Sequence, residues 1–382
     1  MDIQNGVHTF VPQAAQVEEP TADSVGMTGG VLLEDAMDRS VLRLAVLVLV
    51  MGVAVVSGAQ TASELNSYFQ QSIGLSQDQI AGIRAGQAVS KKMPSRIPDE
   101  VIVFGAVFVK AQPESYPKLA YDFERMSKVP GYLAIKQFSD PPQVSDLNGY
   151  SYDSDDIKAM KNCKPADCDI QMPAGTIEAL HKAVDFSAPD AADKANAYLR
   201  DRVIERLLAY QKDGNQVLGE YNDKKNPTQV PEQFRYMLSY SKVLPKALPE
   251  FYNYLLDYPK DKPTNVENVF YWDKVKFGLK PTLRVVQVVT MKGNNPQQPA
   301  YTIAEKQLYS SHYFETALDI TYCIRSDDPS QPGFYLIKVM GSEQAGLTGF
   351  KGSIVRKVAV DKSASSLQKS LAAIKDALET NE

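Results

Sequence analysis

The sequence predicts an α+β protein in which an antiparallel sheet packs against a long C-terminal helix. Residues 101–109 form a continuous apolar, β-branched run, which is typical of a strand buried on both faces. From Phe270 onward the apolar residues recur with a period of two, most clearly in residues 314–324. The final segment has instead the helical stripe Leu367, Leu371, Ile374 and Leu378. Strands and helices that are segregated in this way indicate an α+β fold.

The elements before the middle of the chain follow from local signals. Leu65, Phe69 and Ile73 predict a short amphipathic helix that Gly74 ends. In the strand at 101–109, Gly105 marks a bulge or a close approach of another element. We expect a helix from Pro113 to about residue 126 and a second strand at 132–138, which Asp140-Pro141-Pro142 ends.

A polar stretch with helical patterns follows, and we predict a helical insertion at about 150–260. Helices are expected at 176–184, 231–244 and 249–256, and the strongest pattern lies at 191–212. In that helix the apolar stripe is Leu199, Val203, Leu207 and Tyr210, with Gly214 as its C-terminal stop.

The second half of the chain predicts a run of strands and then the closing helix. The strands are expected at 283–291, 301–309, 314–324 and 334–340. Residues 353–360 also have a helical pattern, which would make one long, interrupted C-terminal helix.

Two stretches of this order resemble the START-related, helix-grip superfamily of lipid-binding and polyketide-cyclase-like domains. They are VIVFGAVFVKAQPESYPKLAYDFERM, a strand and a helix that starts at a proline, and GFYLIKVMGSEQAGLTGFKGSIVRKVAVDKSASSLQKSLAAIKDALE, a strand, a turn with glycines and a long helix. The resemblance implies a curved sheet around the last helix, with an apolar tunnel between them. The stretch 150–260 is long for this family, so it is either an inserted cap or a departure from the family.

A second resemblance is to uncharacterised exported bacterial proteins with a Cys-x₄-Cys-Asp-Ile-x-Met/Leu-Pro element, here at residues 163–173. No activity comes with it. Cys163 and Cys168 could close a small disulfide loop, with two free thiols as the alternative. We expect no metal site here, because no His or second Cys pair lies near in sequence, and no covalent haem, because the pattern is not Cys-x-x-Cys-His. Cys323 is expected to be buried and unpaired.

The N-terminal region has the layout of a signal peptide at residues 37–59. The uncharged run 44–56 lies between Arg39 and Arg43 on one side and the small residues 57–59 on the other. Residues 1–36 are expected to be disordered or to precede the true start of translation. We therefore predict an exported protein, periplasmic or extracellular, in which residues 60–382 form the domain. The alternative is a membrane anchor formed by residues 41–56.

The charge distribution argues against a nucleic-acid partner. The net charge of −5 arises in the first 59 residues, and the rest of the chain has equal numbers of acidic and basic residues. No basic stripe is present for phosphate contacts. A membrane partner is expected only through the N-terminal segment, if that segment stays uncleaved.

Candidate binding residues come from an aromatic cluster and a histidine. Phe270, Tyr271, Trp272 and Tyr309 offer apolar rings with polar tips, which suit a pocket for an amphipathic ligand; ordinary core packing is the alternative. His312 is expected to be structural, to contact a ligand, or to act with carboxylates in catalysis.

These observations predict a protein that binds an apolar or amphipathic small molecule or a lipid. The alternatives are a hydrolase-type or cyclase-type enzyme that uses His312, and a non-catalytic interaction module of the cell envelope. We identify no catalytic residue and expect no cofactor, because the usual nucleotide, nucleophile and metal motifs are missing from the sequence.

Overall fold

The computed structural model describes residues 64–129, 131–276, 280–344, 346–347 and 349–380, and the predicted signal peptide and leader lie outside them. It has the predicted α+β architecture. Within the described residues, eight antiparallel strands form one sheet in the order β1-β2-β10-β9-β8-β7-β6-β3, and β4 and β5 form a separate pair. The strands are β1 (Val89–Lys92), β2 (Glu100–Val109), β3 (Tyr132–Gln137), β4 (Glu220–Tyr221), β5 (Thr228–Gln229), β6 (Val266–Lys276), β7 (Pro281–Lys292), β8 (Tyr301–Ser310), β9 (Phe314–Arg325) and β10 (Phe334–Gln344).

The helices begin and end at recognisable sequence signals. Ser76 and Gln79 form a capping box at the start of the first α-helix, and Gly214, at φ +80°, ends the sixth. A π-helical turn at Tyr68–Ser72 comes before them. The α-helices are α1 (Gln77–Arg84), α2 (Ser115–Ala120), α3 (Phe123–Met126), α4 (Ser154–Asn162), α5 (Ala174–Ala183), α6 (Ala191–Asp213), α7 (Val230–Leu238), α8 (Leu244–Ala247), α9 (Pro249–Asp257) and α10 (Gly349–Glu379).

The C-terminal helix packs against the sheet where β2 contains Gly105. Every residue of β2 is buried, as the apolar run predicts. A Cβ atom at Gly105 would lie 2.7 Å from Leu371 Cδ1 and 2.8 Å from Leu367 Cδ2. The close approach predicted at this glycine is therefore confirmed, and its partner is the apolar stripe of α10.

Some local predictions were wrong in extent. The helix expected at 113–126 is two short helices, because Asp122 accepts a hydrogen bond from the backbone N–H of Arg125 and starts α3 anew. The helix expected at 231–244 ends at Leu238. Strand β1 was missed, since four residues at a sheet edge carry little apolar signal. The C-terminal helix is continuous rather than interrupted.

Helices α4–α9 form the insertion between β3 and β6, as predicted. The strand register places Gly105, which contacts α10, and Lys306, which contacts α6, on opposite faces of the sheet. The insertion and α10 therefore lie on opposite sides of it.

A chain of buried and partly buried hydrogen bonds joins the insertion to the sheet. Lys306 donates to Tyr210, Tyr210 to Gln287, Gln287 to Asn268, and Asn268 to Tyr254. Three adjacent strands are thereby joined to α6 and α9.

Candidate functional site

The clearest candidate site is a half-open cleft between α6, the chain around Pro173 and the sheet face that the insertion covers. We call it the apolar cleft. Its cavity volume is about 70 Å³. Its aliphatic walls are Leu199, Val203, Leu207, Leu218, Val285 and Leu308. Such a lining favours an apolar group of a ligand over a polar one.

Helix α6 provides one wall because its apolar residues repeat every three to four positions. Leu199, Val203 and Leu207 lie one turn apart on a single face, and Tyr210 continues the stripe. The sequence predicted this stripe as the core face of the helix. In the structure, part of the face contacts the sheet and part borders the cleft.

A β-bulge provides the opposite wall. Between β7 and β8 the register shifts, since Val285 pairs with Tyr309 while Val286 pairs with Gln307. Leu308 is the extra residue, and it lines the cleft beside Tyr309. A bulge commonly redirects a side chain at a functional site. The sequence has no glycine or proline at this point to predict it.

The tyrosines of the cleft have partners for their hydroxyl groups within the protein. The hydroxyl oxygens of Tyr152 and Tyr309 are 2.7 Å apart, and the Tyr210 hydroxyl donates to Gln287 Oε1 at 2.6 Å. Burial raises the pKa of all three well above its ordinary value, so the hydroxyls stay neutral. These tyrosines therefore contribute mainly their rings to the cleft.

Two arginines of α6 also line the cleft, and they differ in their surroundings. Arg202 is exposed and forms an ion pair with Glu205. Arg206 is half-buried, and its charge acts on the Tyr221 hydroxyl. Burial raises the pKa of Tyr221 to about 12, although Arg206 acts in the opposite direction. Within the described part of the chain, no hydrogen bond or ion pair joins Arg206 to another residue.

His312 lies outside the apolar cleft and holds three segments together. Its Nε2 is 3.1 Å from Asp156 Oδ1 on α4, and its Nδ1 is 3.1 Å from the carbonyl oxygen of Asp169. The ring is buried at the turn between β8 and β9. Both nitrogens face oxygen acceptors, so neither is placed to take a proton from a substrate.

The three predicted aromatic residues at 270–272 are separated by the sheet. Phe270 and Trp272 point to the insertion side, where Phe270 packs against Tyr210 and Trp272 Nε1 donates to a backbone carbonyl at 2.9 Å. Tyr271 points to the other side and packs against Phe123. Of the five predicted ligand-contacting residues, Tyr309 is the one that lines the apolar cleft.

The cysteine loop forms the predicted disulfide. Cys163 and Cys168 are bonded, with their Cα atoms 4.5 Å apart. The loop is fastened to the segment before β5, because Ala166 N–H donates to Asn222 O and Cys168 N–H to Asp223 O. Cys323 is a buried free cysteine, as expected.

Charged residues that the sequence analysis did not single out are buried on the α10 side of the sheet. Lys338 Nζ is 2.7 Å from Asp319 Oδ2 and 3.3 Å from Glu305 Oε1. Burial raises the pKa of Asp319 to about 8, against the attraction of Lys338. Thr321 Oγ1 and Gln307 Oε1 are buried on the same face without a hydrogen-bond partner. The period of two in β9 predicts that alternate side chains share a face, but it could not show that the face with Asp319 and Thr321 is also buried.

Comparisons with known proteins add no identity. No family model matches the chain, and no curated protein is significantly similar to it.

Among the described residues, no group of three or more His, Cys, Asp or Glu side chains is arranged to hold a metal ion. In the same part of the chain, the helices are too short or too polar to cross a membrane.

Proposed function

We propose that this is an exported binding protein that holds the apolar end of an amphipathic small molecule or lipid in the apolar cleft. The observation that carries the proposal is the cleft itself. It combines aliphatic walls, tyrosine hydroxyls that already have partners, and arginines among its lining residues. Apolar walls next to arginine side chains suit a molecule with an apolar part and a polar head.

The size of the cleft limits how large a part of the ligand can bind inside it. Its 70 Å³ corresponds to the space of about five water molecules. A whole phospholipid would not fit, but the last few carbons of one chain would. Each buried methylene contributes about 0.8 kcal/mol before ordering costs. We therefore expect weak binding of short chains, with dissociation constants on the order of 0.1–1 mM.

The fold and the disulfide support the wider proposal. We propose a helix-grip domain of the START-related type, because helix α2 follows the buried strand β2 and a long C-terminal helix packs against the antiparallel sheet. The insertion would be a cap that creates the cleft on the face of the sheet opposite α10. A disulfide between Cys163 and Cys168 is typical of proteins in oxidising compartments, which agrees with export.

The enzyme alternative has less support. It depends on His312 acting with carboxylates, yet one nitrogen of this ring is bonded to Asp156 and the other to the carbonyl of Asp169. The interaction-module alternative has no specific contact in its favour.

The test is to titrate the full domain with 1-alkanols of increasing length and to measure the dissociation constant of each by isothermal titration calorimetry. We expect affinity to rise with each added carbon and then to level off once the cleft is full. Val203→Trp should abolish binding, because Val203 lines the cleft and the larger ring would fill it.

The matched control is Leu208→Trp on the same helix, since Leu208 is 42% exposed and does not line the cleft. It should bind as the unaltered protein does. Protein purified from its host should then be analysed by native mass spectrometry and by extraction of bound lipid, which would identify the natural ligand. The proposal is wrong if no alkanol binds and no lipid is recovered, or if both tryptophan variants bind equally well.

A further inference from the structure

We infer that the ligand of the apolar cleft is a single-chain amphiphile with an anionic headgroup, and that Arg206 binds that headgroup. This inference rests on the proposed function and adds the class of ligand. It depends on the difference between the two arginines, on the lining of the cleft and on the geometry of α6.

Of the two arginines that line the cleft, Arg206 is the one that forms no hydrogen bond or ion pair with another described residue. The neighbouring Arg202 is satisfied by Glu205 and also lies 5.3 Å from the ring of Tyr198. Arg206 is half-buried and has no such ion pair or hydrogen bond among the described residues. A guanidinium presents five N–H donors in a fixed fork. Partial burial without an acceptor costs free energy that an anionic ligand would recover.

The rest of the lining contains no competing charge. Asp and Glu are absent from the described residues that line the cleft. The hydroxyls of Tyr152 and Tyr309 are bonded to each other, and that of Tyr210 donates to Gln287. The headgroup would therefore meet positive charges and, among the described lining residues, no carboxylate.

The position of Arg206 along α6 sets the direction of the ligand. Arg206 lies between Val203 and Tyr210, each about one turn away, and it comes directly before the buried Leu207. A chain end packed against Leu207 and Leu308 would thus place its headgroup within reach of the guanidinium. A carboxylate matches the guanidinium fork through two parallel hydrogen bonds.

The experiment compares three probes with the same chain at neutral pH by calorimetry: octanoate, octan-1-ol and octyltrimethylammonium. We expect octanoate to bind about tenfold more tightly than octan-1-ol, because its carboxylate can accept charge-assisted hydrogen bonds from Arg206, which are stronger than neutral ones. Octyltrimethylammonium should bind most weakly. Arg206→Gln should lower the affinity for octanoate about tenfold more than the affinity for octan-1-ol, so that the advantage of octanoate is lost.

The control variant is Lys212→Gln, which makes the same charge change on an exposed residue of α6 outside the cleft. It should alter neither affinity. Equal binding of octanoate and octan-1-ol would overturn this inference and leave the proposed function standing. An equal loss of both ligands in Arg206→Gln would also overturn it, since the arginine would then only support the fold. If no probe binds, the proposed function fails and the inference with it.

Discussion

At the scale of single residues, Glu343 illustrates how this sheet buries charge without fully pairing it. Glu343 on β10 lies directly opposite Glu100 on β2, and both side chains are buried. Arg96 donates to both carboxylate oxygens of Glu100, whereas Glu343 Oε1 has no partner. Burial, together with the charge of Glu100, raises the pKa of Glu343 to about 7.

This raised pKa gives a pH-dependent prediction. Between the ordinary value of 4.5 and about 7, the folded protein holds a proton on Glu343 that the unfolded chain releases. The contribution of this group to stability is therefore present below that range and lost as the pH rises through it. Glu343→Gln, which stays neutral, should raise the free energy of unfolding at pH 8 by about 3 kcal/mol and change it little at pH 4.

Urea unfolding at several pH values measures this, with Glu250→Gln as the control because Glu250 is exposed on α9. The control should show no pH-dependent gain. An equal gain for Glu343→Gln at pH 4 and pH 8, or a loss at pH 8, would contradict the assignment.

At the scale of elements, the contact between α10 and β2 packs the C-terminal helix against the sheet. Gly105 allows the helix to approach, since its missing side chain leaves room for Leu367 and Leu371. Both leucines are buried, and they belong to the stripe that the sequence predicted.

Gly105→Ala should therefore destabilise the protein by about 1–3 kcal/mol, because the added methyl group would overlap the two leucines. Gly175→Ala is the matched control, since nothing lies within 4 Å of the added atom in α5 and alanine favours a helix. Thermal unfolding of both variants checks this. A Gly105→Ala protein as stable as the unaltered one would mean that α10 does not pack here.

The elements also show how far the sequence could predict the site. The stripe of α6 was predictable, because helical periodicity marks Leu199, Val203 and Leu207 whatever they face. The bulge at Leu308 was not, because it depends on how β8 pairs with β7. Arg206 carries no sequence signal of its own. Its importance comes from the absence of a bonded acceptor among the residues that the structure describes, which the sequence alone could not reveal.

At the scale of the whole molecule, the insertion is what separates this protein from a plain sheet-and-helix domain. It covers the face of the sheet opposite α10 and is fastened there by the hydrogen-bond chain that starts at Lys306. The apolar cleft exists because α6 and the bulged strand do not close completely against each other. The resemblance to helix-grip domains led us to expect a tunnel between the sheet and the last helix, whereas the apolar cleft lies on the other side.

The most direct measurement is a titration with octan-1-ol in which the methyl resonances of leucine and valine are followed by NMR. Our account predicts that shifts concentrate at Leu199, Leu207, Leu218 and Leu308, with Leu367 and Leu371 unmoved. Shifts confined to Leu367 and Leu371 would place the ligand between the sheet and α10. That result, or no shift at any concentration, would contradict the account.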